Sequence, residues 1–163
     1  VLPGVGAFAD CKRGLDSLPG MVESLEEQVL LAGKPFLGIC VGTQMMFDGS
    51  DEDPSAKGLG ILPGRVEWIP PGVKRPQMQW NKLHLQRPDD VLFEGLGTEP
   101  WVYFVHSLHG VPADPSTVIA TCDYGGTLNA VFRRGSIVAT QFHPEKSAQA
   151  GLALLGNFMR WKP

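Results

Sequence analysis

The chain has 163 residues, 43% of them hydrophobic, and a formal net charge of −3 at pH 7. That length and apolar content predict one domain over residues 1–163. The acidic balance without a basic run argues against nucleic-acid binding, and the lack of a long apolar stretch argues against a membrane span.

The first part of the chain alternates strand and helix patterns. Val1 and Leu2 read as the stub of an apolar strand, and residues 10–17 as a weak helix. Apolar residues at helical spacing predict a second helix that ends at Gly33. A strand over residues 35–39 and a helix from Val41 to about Asp48 follow. This order predicts a parallel sheet with helical crossovers.

The pattern then changes to short strands punctuated by Gly and Pro. Residues 48–57 read as an acidic surface loop, and the predicted strands are 64–69, 78–85, 101–107, 118–122, 129–132 and 136–142. Leu152, Leu155 and Met159 predict the buried face of a C-terminal amphipathic helix. We therefore expect an α/β fold: an open, mostly parallel sheet flanked by helices, with an additional antiparallel strand region.

A candidate nucleophile sits where the predicted strand 35–39 meets its helix. The run Gly38-Ile39-Cys40-Val41-Gly42 is the sulfur counterpart of a Gly-x-Ser-x-Gly nucleophile elbow. Small residues at both glycine positions give the strained turn room. The helix N-terminus is expected to favour the Cys40 thiolate, and the Val41 N–H to stabilise an oxyanion. A buried structural cysteine is the alternative interpretation.

A candidate base and its orienting carboxylate follow the last predicted strand. His143 and Glu145 are two residues apart around Pro144, so both side chains leave an extended chain on the same side. Glu145 would accept a proton from one imidazole nitrogen, which leaves the other free for Cys40. The alternative is a surface histidine beside an unrelated acid.

The glycine-rich start supplies a candidate ligand loop. Gly4 and Gly6 flank Val5 in the run Pro3-Gly4-Val5-Gly6 and let backbone N–H groups approach a ligand closely. The Val5 N–H is the most plausible second oxyanion donor.

Cysteine and histidine usage bears on cofactors and compartment. The cysteines are Cys11, Cys40 and Cys122, an odd and sparse set that predicts no disulfide framework and a reducing, cytoplasmic setting. The four histidines have no metal-binding spacing with any cysteine pair. We expect neither a metal nor another cofactor.

Six segments together resemble one family. The elbow run with Thr43 and Gln44, the His143-Pro144-Glu145 run and the glycine-rich start are similar, in order and spacing, to class I (triad-type) glutamine amidotransferases. The start of the chain to Phe8, the run Met78-Gln79-Trp80-Asn81 and the run 103–107 narrow the resemblance to the glutaminase subunits of imidazole glycerol phosphate synthase. The one small departure is Gln79, where the family usually has Gly.

The resemblance implies an activity and a partner. Cys40, His143 and Glu145 would form a catalytic triad that hydrolyses L-glutamine, with Val5 and Val41 as oxyanion donors. The positions that match glutamine-binding residues of the family are Gly4, Gly6, Gln44, Tyr103 and Ser107. Ammonia would pass to a (β/α)₈-barrel cyclase subunit in histidine biosynthesis, and the matching interface positions are Trp80 and Lys146.

Two alternatives stay open at this point. One is another class I amidotransferase, such as those of guanylate, anthranilate or pyridoxal phosphate synthesis. The other is a noncatalytic module that binds the partner. The family begins with a strand, a helix and a second strand ahead of the glycine-rich loop, whereas this chain begins at Val1. We therefore expect an N-terminally truncated domain that lacks the first βα elements.

Overall fold

The computed structural model describes residues 1–163. The helices are α1 (Phe8–Asp16), α2 (Met21–Leu25), α3 (Val41–Met45) and α4 (Ala148–Arg160), and α2 continues as a π-helical segment (Glu26–Leu31). The strands are β1 (Leu2–Gly4), β2 (Phe36–Cys40), β3 (Gly49–Ser50), β4 (Gly64–Trp68), β5 (Gln77–Lys82), β6 (His84–Leu85), β7 (Trp101–His106), β8 (Leu108–Pro112), β9 (Val118–Asp123), β10 (Thr127–Arg134) and β11 (Ile137–Thr140).

A six-stranded mixed sheet organises the fold. Its strand order is β1-β2-β11-β10-β9-β6. The pairs β1–β2 and β2–β11 are parallel, and the three remaining pairs are antiparallel. Helices α1 and α2 form the crossover from β1 to β2, as the alternating pattern predicted. The α/β class is confirmed. The sheet is mixed, however, and not mostly parallel as expected, because only β1, β2 and β11 pair in parallel.

Two smaller sheets complete the strand region. Strands β3, β4 and β8 form one, in that order, and the antiparallel pair β5–β7 forms the other. Strands β3 and β8 were not predicted, because two residues are too few for a periodic signal and β8 follows β7 after a single residue. The predicted strand 78–85 is divided into β5 and β6.

The central sheet carries apolar side chains on both faces. In β2, Phe36 belongs to one buried cluster and Leu37 to the other, and in β11 Val138 and Ala139 divide in the same way. This alternation follows from the period of two along a strand. Helix α4 covers the face that contains Leu37, so β2 and β11 are buried on both sides.

The predicted buried face of the C-terminal helix is wrong, although the helix itself is confirmed. Of the three predicted residues, Leu155 is partly buried against the core, but Leu152 is 66% exposed and Met159 78% exposed. Leu154 and Phe158 are buried instead. Helical spacing is satisfied by either set of residues. Which set is buried depends on how the helix packs against the rest of the fold, and the sequence pattern does not show that packing.

No helix is both long enough and apolar enough to cross a membrane.

The predicted surface loop 48–57 contains the buried residue Ser50, because β3 pairs with β4 there. The elbow helix is shorter than predicted and ends at Met45.

Two glycines permit the close approach of β1 to the elbow. A Cβ added at Gly42 would lie 1.8 Å from the backbone oxygen of Leu2, and one added at Gly4 would lie 2.8 Å from the Gly42 nitrogen. Neither neighbour is a flexible side chain, so neither position accommodates a larger residue.

We therefore predict that Gly42→Ala lowers the free energy of unfolding by about 3 kcal/mol or more, since the backbone of β1 would have to move. Gly14, on α1, is the matched control: a Cβ there meets nothing within 4 Å. Gly14→Ala should raise the free energy of unfolding by about 0.5–1 kcal/mol through helix propensity. Urea denaturation measures both, and equal values for the two variants would contradict the packing account.

Candidate active site

The candidate catalytic residues meet at the carboxyl ends of three neighbouring parallel strands. Gly4, the last residue of β1, pairs with Cys40, the last residue of β2. Strand β11 lies on the other side of β2 and ends at Thr140, three residues before His143. Ligand-handling residues collect at this edge of open α/β sheets, so topology brings the two distant motifs together.

Cys40 occupies the strained turn that the motif predicted. Its backbone has φ 54° and ψ −112°, and α3 begins at the next residue. A non-glycine residue in this region costs about 1–3 kcal/mol and persists only where the surrounding packing enforces it. The Val41 N–H, at the first residue of α3, lies beside the Cys40 sulfur and lowers its pKa. The side chain is thus fixed at the sheet edge with a backbone donor beside it.

Burial overrides the expected preference for thiolate. The pKa of Cys40 is raised from 9.0 to about 11, first by burial, while the hydrogen bond from Val41 lowers it and the charge of Glu145 raises it further. The helix behind it has only five residues, so its dipole is short. The expectation of an activated thiolate at rest was wrong; the resting group is a thiol.

His143 is held from both its backbone and its ring. Its backbone N–H donates to the Tyr103 oxygen at 3.1 Å, and its carbonyl accepts from the Ser147 hydroxyl at 2.6 Å. The ring Nδ1 donates to Glu145 Oε1 at 2.7 Å. The histidine side chain is buried, whereas the glutamate is half exposed. With Nδ1 engaged, Nε2 is the nitrogen left for chemistry.

Cys40 and His143 line one cavity of about 260 Å³. The other lining residues that the sequence singled out are Val5, Gly6, Val41, Gln44 and Ser107. The lining residues that the sequence did not single out as site residues are Glu52, Pro76, Val105, His106 and Leu108. The cavity thus contains two of the three candidate catalytic side chains, both candidate oxyanion residues and the candidate substrate-binding residues Gly6, Gln44 and Ser107.

A second cavity of about 220 Å³ shares Val5 and His143 with the first. Gly4 and Glu145 line this second cavity and not the first. Tyr103 lines neither: its backbone supports His143 and its half-buried ring packs edge-on against Trp80, with centroids 6.1 Å apart. The expectation that Tyr103 contacts substrate therefore finds no support in the cavity lining.

The β5–β7 ribbon presents an exposed apolar face beside the cavity. Trp80 is 43% exposed, and Met78 and Trp101 are more exposed still. Trp80 pairs with Tyr103, and Met78 pairs with Val105, which also lines the cavity. Lys146 is exposed on the turn that follows His143. Exposed apolar side chains in one patch are typical of an interaction surface.

A second histidine in the cavity wall is unsuited to act as the base. Burial lowers the pKa of His106 to about 4, so its ring is neutral. Its Nδ1 lies 2.7 Å from the Leu108 oxygen and its Nε2 lies 2.8 Å from Gln77 Oε1. Both nitrogens are engaged within the core, unlike those of His143.

Two polar residues of the site were not predicted from the sequence. Glu52 belongs to the predicted surface loop, yet it lines the cavity and accepts from the Phe8 N–H at 2.6 Å. Nothing in the local sequence distinguishes it from its acidic neighbours. Gln141 lies near Cys40, and its only sequence signal was a polar residue in an otherwise apolar strand pattern.

No group of three or more His, Cys, Asp or Glu side chains is arranged to hold a metal ion. All three cysteines are free. The thiol of Cys40 and the ring of His143 in the cavity wall are suited to acyl transfer through sulfur.

Sequence comparison relates the chain to known proteins. Residues 1–161 match the class-I glutamine amidotransferase family. The chain is 51% identical, over 166 residues, to the imidazole glycerol phosphate synthase subunit HisH of Rhodospirillum rubrum, covering 100% of this chain and 78% of that protein. The protein of the same name from Brucella abortus is 47% identical over 169 residues, with coverage of 100% and 78%.

Solved structures support the fold. A glutamine amidotransferase crystal structure superposes with a TM-score of 0.70 at 21% identity, over 96% of this chain and 77% of that chain. A glutamine amidotransferase from Thermotoga maritima gives 0.64 at 20% identity, over 96% and 60%. Together with the sequence matches, they show that the chain belongs to the class I glutamine amidotransferase family and, within it, to the HisH glutaminase subunits of imidazole glycerol phosphate synthase.

Proposed function

We propose that residues 1–163 act as one glutaminase domain that hydrolyses the side-chain amide of L-glutamine through Cys40, His143 and Glu145. The observation that carries this proposal is the shared cavity: the buried thiol on its strained turn and the ring of His143, oriented by Glu145, line the same space. Nucleophile, base and orienting carboxylate are the three parts that triad chemistry needs.

Proton transfer and attack are coupled in this scheme. Because the pKa of Cys40 is about 11, the thiol keeps its proton until His143 Nε2 takes it as the sulfur attacks the amide carbon. His143 then gives that proton to the departing ammonia, which leaves a glutamyl thioester on Cys40. Water, deprotonated by His143, hydrolyses the thioester to glutamate and restores the thiol.

Two backbone N–H groups are proposed as the oxyanion donors. The Val41 N–H belongs to the first residue of α3, directly after Cys40. Val5 lies in the cavity wall between Gly4 and Gly6, and Gly6 has a φ of 101°. Glycine on both sides allows the Val5 peptide to rotate at low cost, so its N–H can turn towards the oxyanion when substrate is bound.

Substrate contacts are proposed for Gly6, Gln44 and Ser107, all in the cavity wall. The Gln44 amide nitrogen donates to Leu108 and to Gln141, which leaves its carbonyl oxygen for a donor on the substrate. Gly4 contributes indirectly, through its close packing on α3. Tyr103 supports the base through its backbone and belongs to the exposed ribbon.

The ammonia is proposed to pass to a (β/α)₈-barrel cyclase subunit in histidine biosynthesis. The relatives named as subunits of imidazole glycerol phosphate synthase support this pairing. The apolar face of β5–β7 borders the cavity through Val105, so a partner docked there would receive ammonia without its passage through solvent. Trp80 and the neighbouring Lys146 are the proposed anchors of that interface.

The first prediction concerns the nucleophile. Cys40→Ala should reduce glutamate release in the presence of the cyclase subunit by at least about 10³-fold, because no thioester can form. Cys122→Ala is the control, since Cys122 is also buried but does not line the cavity. Glutamate production by the Cys40→Ala protein at the rate of the control would refute the assignment.

The second prediction concerns the orienting carboxylate. Glu145→Gln should lower kcat by about 10- to 100-fold and leave KM within about threefold, because the amide cannot stabilise the imidazolium that forms during the reaction. The effect is expected to be smaller than for a buried carboxylate, since Glu145 is half exposed. Steady-state kinetics decide, and an unchanged kcat would remove Glu145 from the triad.

The third prediction concerns the partner surface. Trp80→Ala should weaken cyclase binding by about tenfold or more, because exposed tryptophans are frequent anchors of interfaces. Trp68 is the matched control: it is also 43% exposed but lies on β4, in a different sheet. Trp68→Ala should change the Kd by less than about twofold in calorimetric titration. Equal effects of the two substitutions would place the interface elsewhere.

A further inference from the structure

Gln141 is a fully buried polar residue that the proposed mechanism does not use. It follows β11 and lies two residues before His143. Its backbone N–H donates to the Ala130 oxygen at 2.8 Å, which fixes the main chain here. A buried side-chain amide is costly unless its oxygen and nitrogen both find partners, so the partners of Gln141 indicate what holds it there.

The orientation of the Gln141 amide is set by a backbone carbonyl. The Leu108 oxygen can only accept, and Gln44 Nε2 lies 3.2 Å from it, so this atom of Gln44 must be the donor nitrogen. The same nitrogen lies 3.2 Å from Gln141 Oε1 and donates its second hydrogen there. The Gln141 oxygen is therefore committed to Gln44.

The Gln141 nitrogen then faces the nucleophile. Gln141 Nε2 lies 3.9 Å from Cys40 Sγ, which is within hydrogen-bonding reach of a sulfur atom, and the sulfur is its only partner. If the Gln141 amide were reversed, its nitrogen would face the Gln44 nitrogen, and two donors would meet without an acceptor. The sequence of bonds from Leu108 through Gln44 to Gln141 thus presents an N–H to the sulfur at a fixed angle.

We propose that Gln141 is a positioning residue that donates to the Cys40 sulfur and stabilises its thiolate, in concert with the Val41 N–H. The proposal rests on the proposed function of Cys40 as nucleophile. A donor gains most when its acceptor becomes charged, so this bond strengthens as His143 removes the proton. Because Gln44 lines the substrate cavity, the same chain of bonds links substrate contact to the reactivity of sulfur.

Substitution of Gln141 removes none of the titratable side chains around the sulfur. The titratable side chains that face Cys40 are His143 and Glu145 after β11, His106 on β7, Glu52 after β3 and Cys11 on α1. A change in thiol reactivity on replacement of Gln141 therefore reports on the amide itself.

The test is the pH dependence of Cys40 alkylation by iodoacetamide, without glutamine, in the complex with the cyclase subunit. Mass spectrometry of the Cys40 peptide gives the rate. Gln141→Met fills the same space without a donor, and it should move the midpoint of the profile upward by about one pH unit and lower kcat about tenfold. Gln141→Glu keeps an oxygen for Gln44 but adds a charge, so it should move the midpoint further while KM stays near that of the unsubstituted protein.

Asn157→Leu is the control for loss of a buried amide. Asn157 is buried on α4 and donates to the Leu92 and Glu94 oxygens, remote from the cavity. It should lower stability and leave the alkylation midpoint unchanged. If Gln141→Met keeps the midpoint of the unsubstituted protein, or if Asn157→Leu shifts it equally, the proposal is overturned.

One measurement needs no variant. With ¹⁵N-labelled glutamine side chains, alkylation of Cys40 in the unsubstituted protein should shift the Gln141 amide resonance, and an unmoved resonance would overturn the proposal even if the variants do not fold. Failure of the proposed function is separately visible: a Cys40→Ala protein that still releases glutamate refutes the nucleophile. An inactive Cys40→Ala protein beside unaffected Gln141 variants refutes only the role of Gln141.

Discussion

The backbone turn at Cys40 is the constraint on which the rest of the site depends. A φ of 54° at a non-glycine residue is unfavourable in an isolated chain and is retained here because β1 packs directly against α3. The absence of side chains at Gly4 and Gly42 is what permits that contact. The turn sets the direction of the thiol, the start of α3 and the position of the Val41 N–H together. The strained backbone at Cys40 therefore aligns the thiol, the start of α3 and the Val41 N–H.

The electrostatics of the site follow from competition between burial and hydrogen bonding. Burial raises the pKa of the Cys40 thiol to about 11, and the backbone donor at Val41 offsets only part of that effect. A thiol that stays protonated at rest is protected from solvent oxidants and needs the base for attack. His143 is suited to that task because Glu145 occupies its Nδ1, whereas His106 has both nitrogens engaged in the core. The two histidines of the cavity wall therefore differ in one respect that matters for the proposed mechanism: Nε2 of His143 is left without a protein partner, whereas both ring nitrogens of His106 are bonded.

The sequence predicted the parts of the site that follow from local geometry. The elbow glycines and the extended conformation of His143 before Pro144 each have a local steric cause, so the sequence predicted them. The expectation that the chain stays extended as far as Glu145 was wrong, because Pro144–Lys146 forms a 3-10 turn. The chain order of strands and helices also sufficed for the α/β class and the β1–β2 crossover.

What the sequence did not predict depends on distant contacts. The buried face of α4, the short strand β3 and the positions of Glu52 and Gln141 beside the cavity are all decided by partners far along the chain. The resting protonation of Cys40 was also mispredicted, because the helix N-terminus is a local feature whereas burial is a property of the whole fold. A polar residue in an otherwise apolar strand pattern, as at Gln141, is the one sequence signal that indicates such a buried polar contact.

The most direct test of the account is to find which atom reacts with a glutamine analogue. A diazoketone analogue of glutamine alkylates the nucleophile. The sulfur replaces dinitrogen on the carbon next to the carbonyl, the thiol proton moves to that carbon, and a stable thioether forms. The complex is incubated with the analogue, digested and analysed by mass spectrometry. The label should lie on the peptide that contains Cys40, and excess glutamine should suppress it. Labelling of Cys11 or Cys122 instead, or no label in a complex that still hydrolyses glutamine, would contradict the central claim that the strained turn presents the catalytic sulfur.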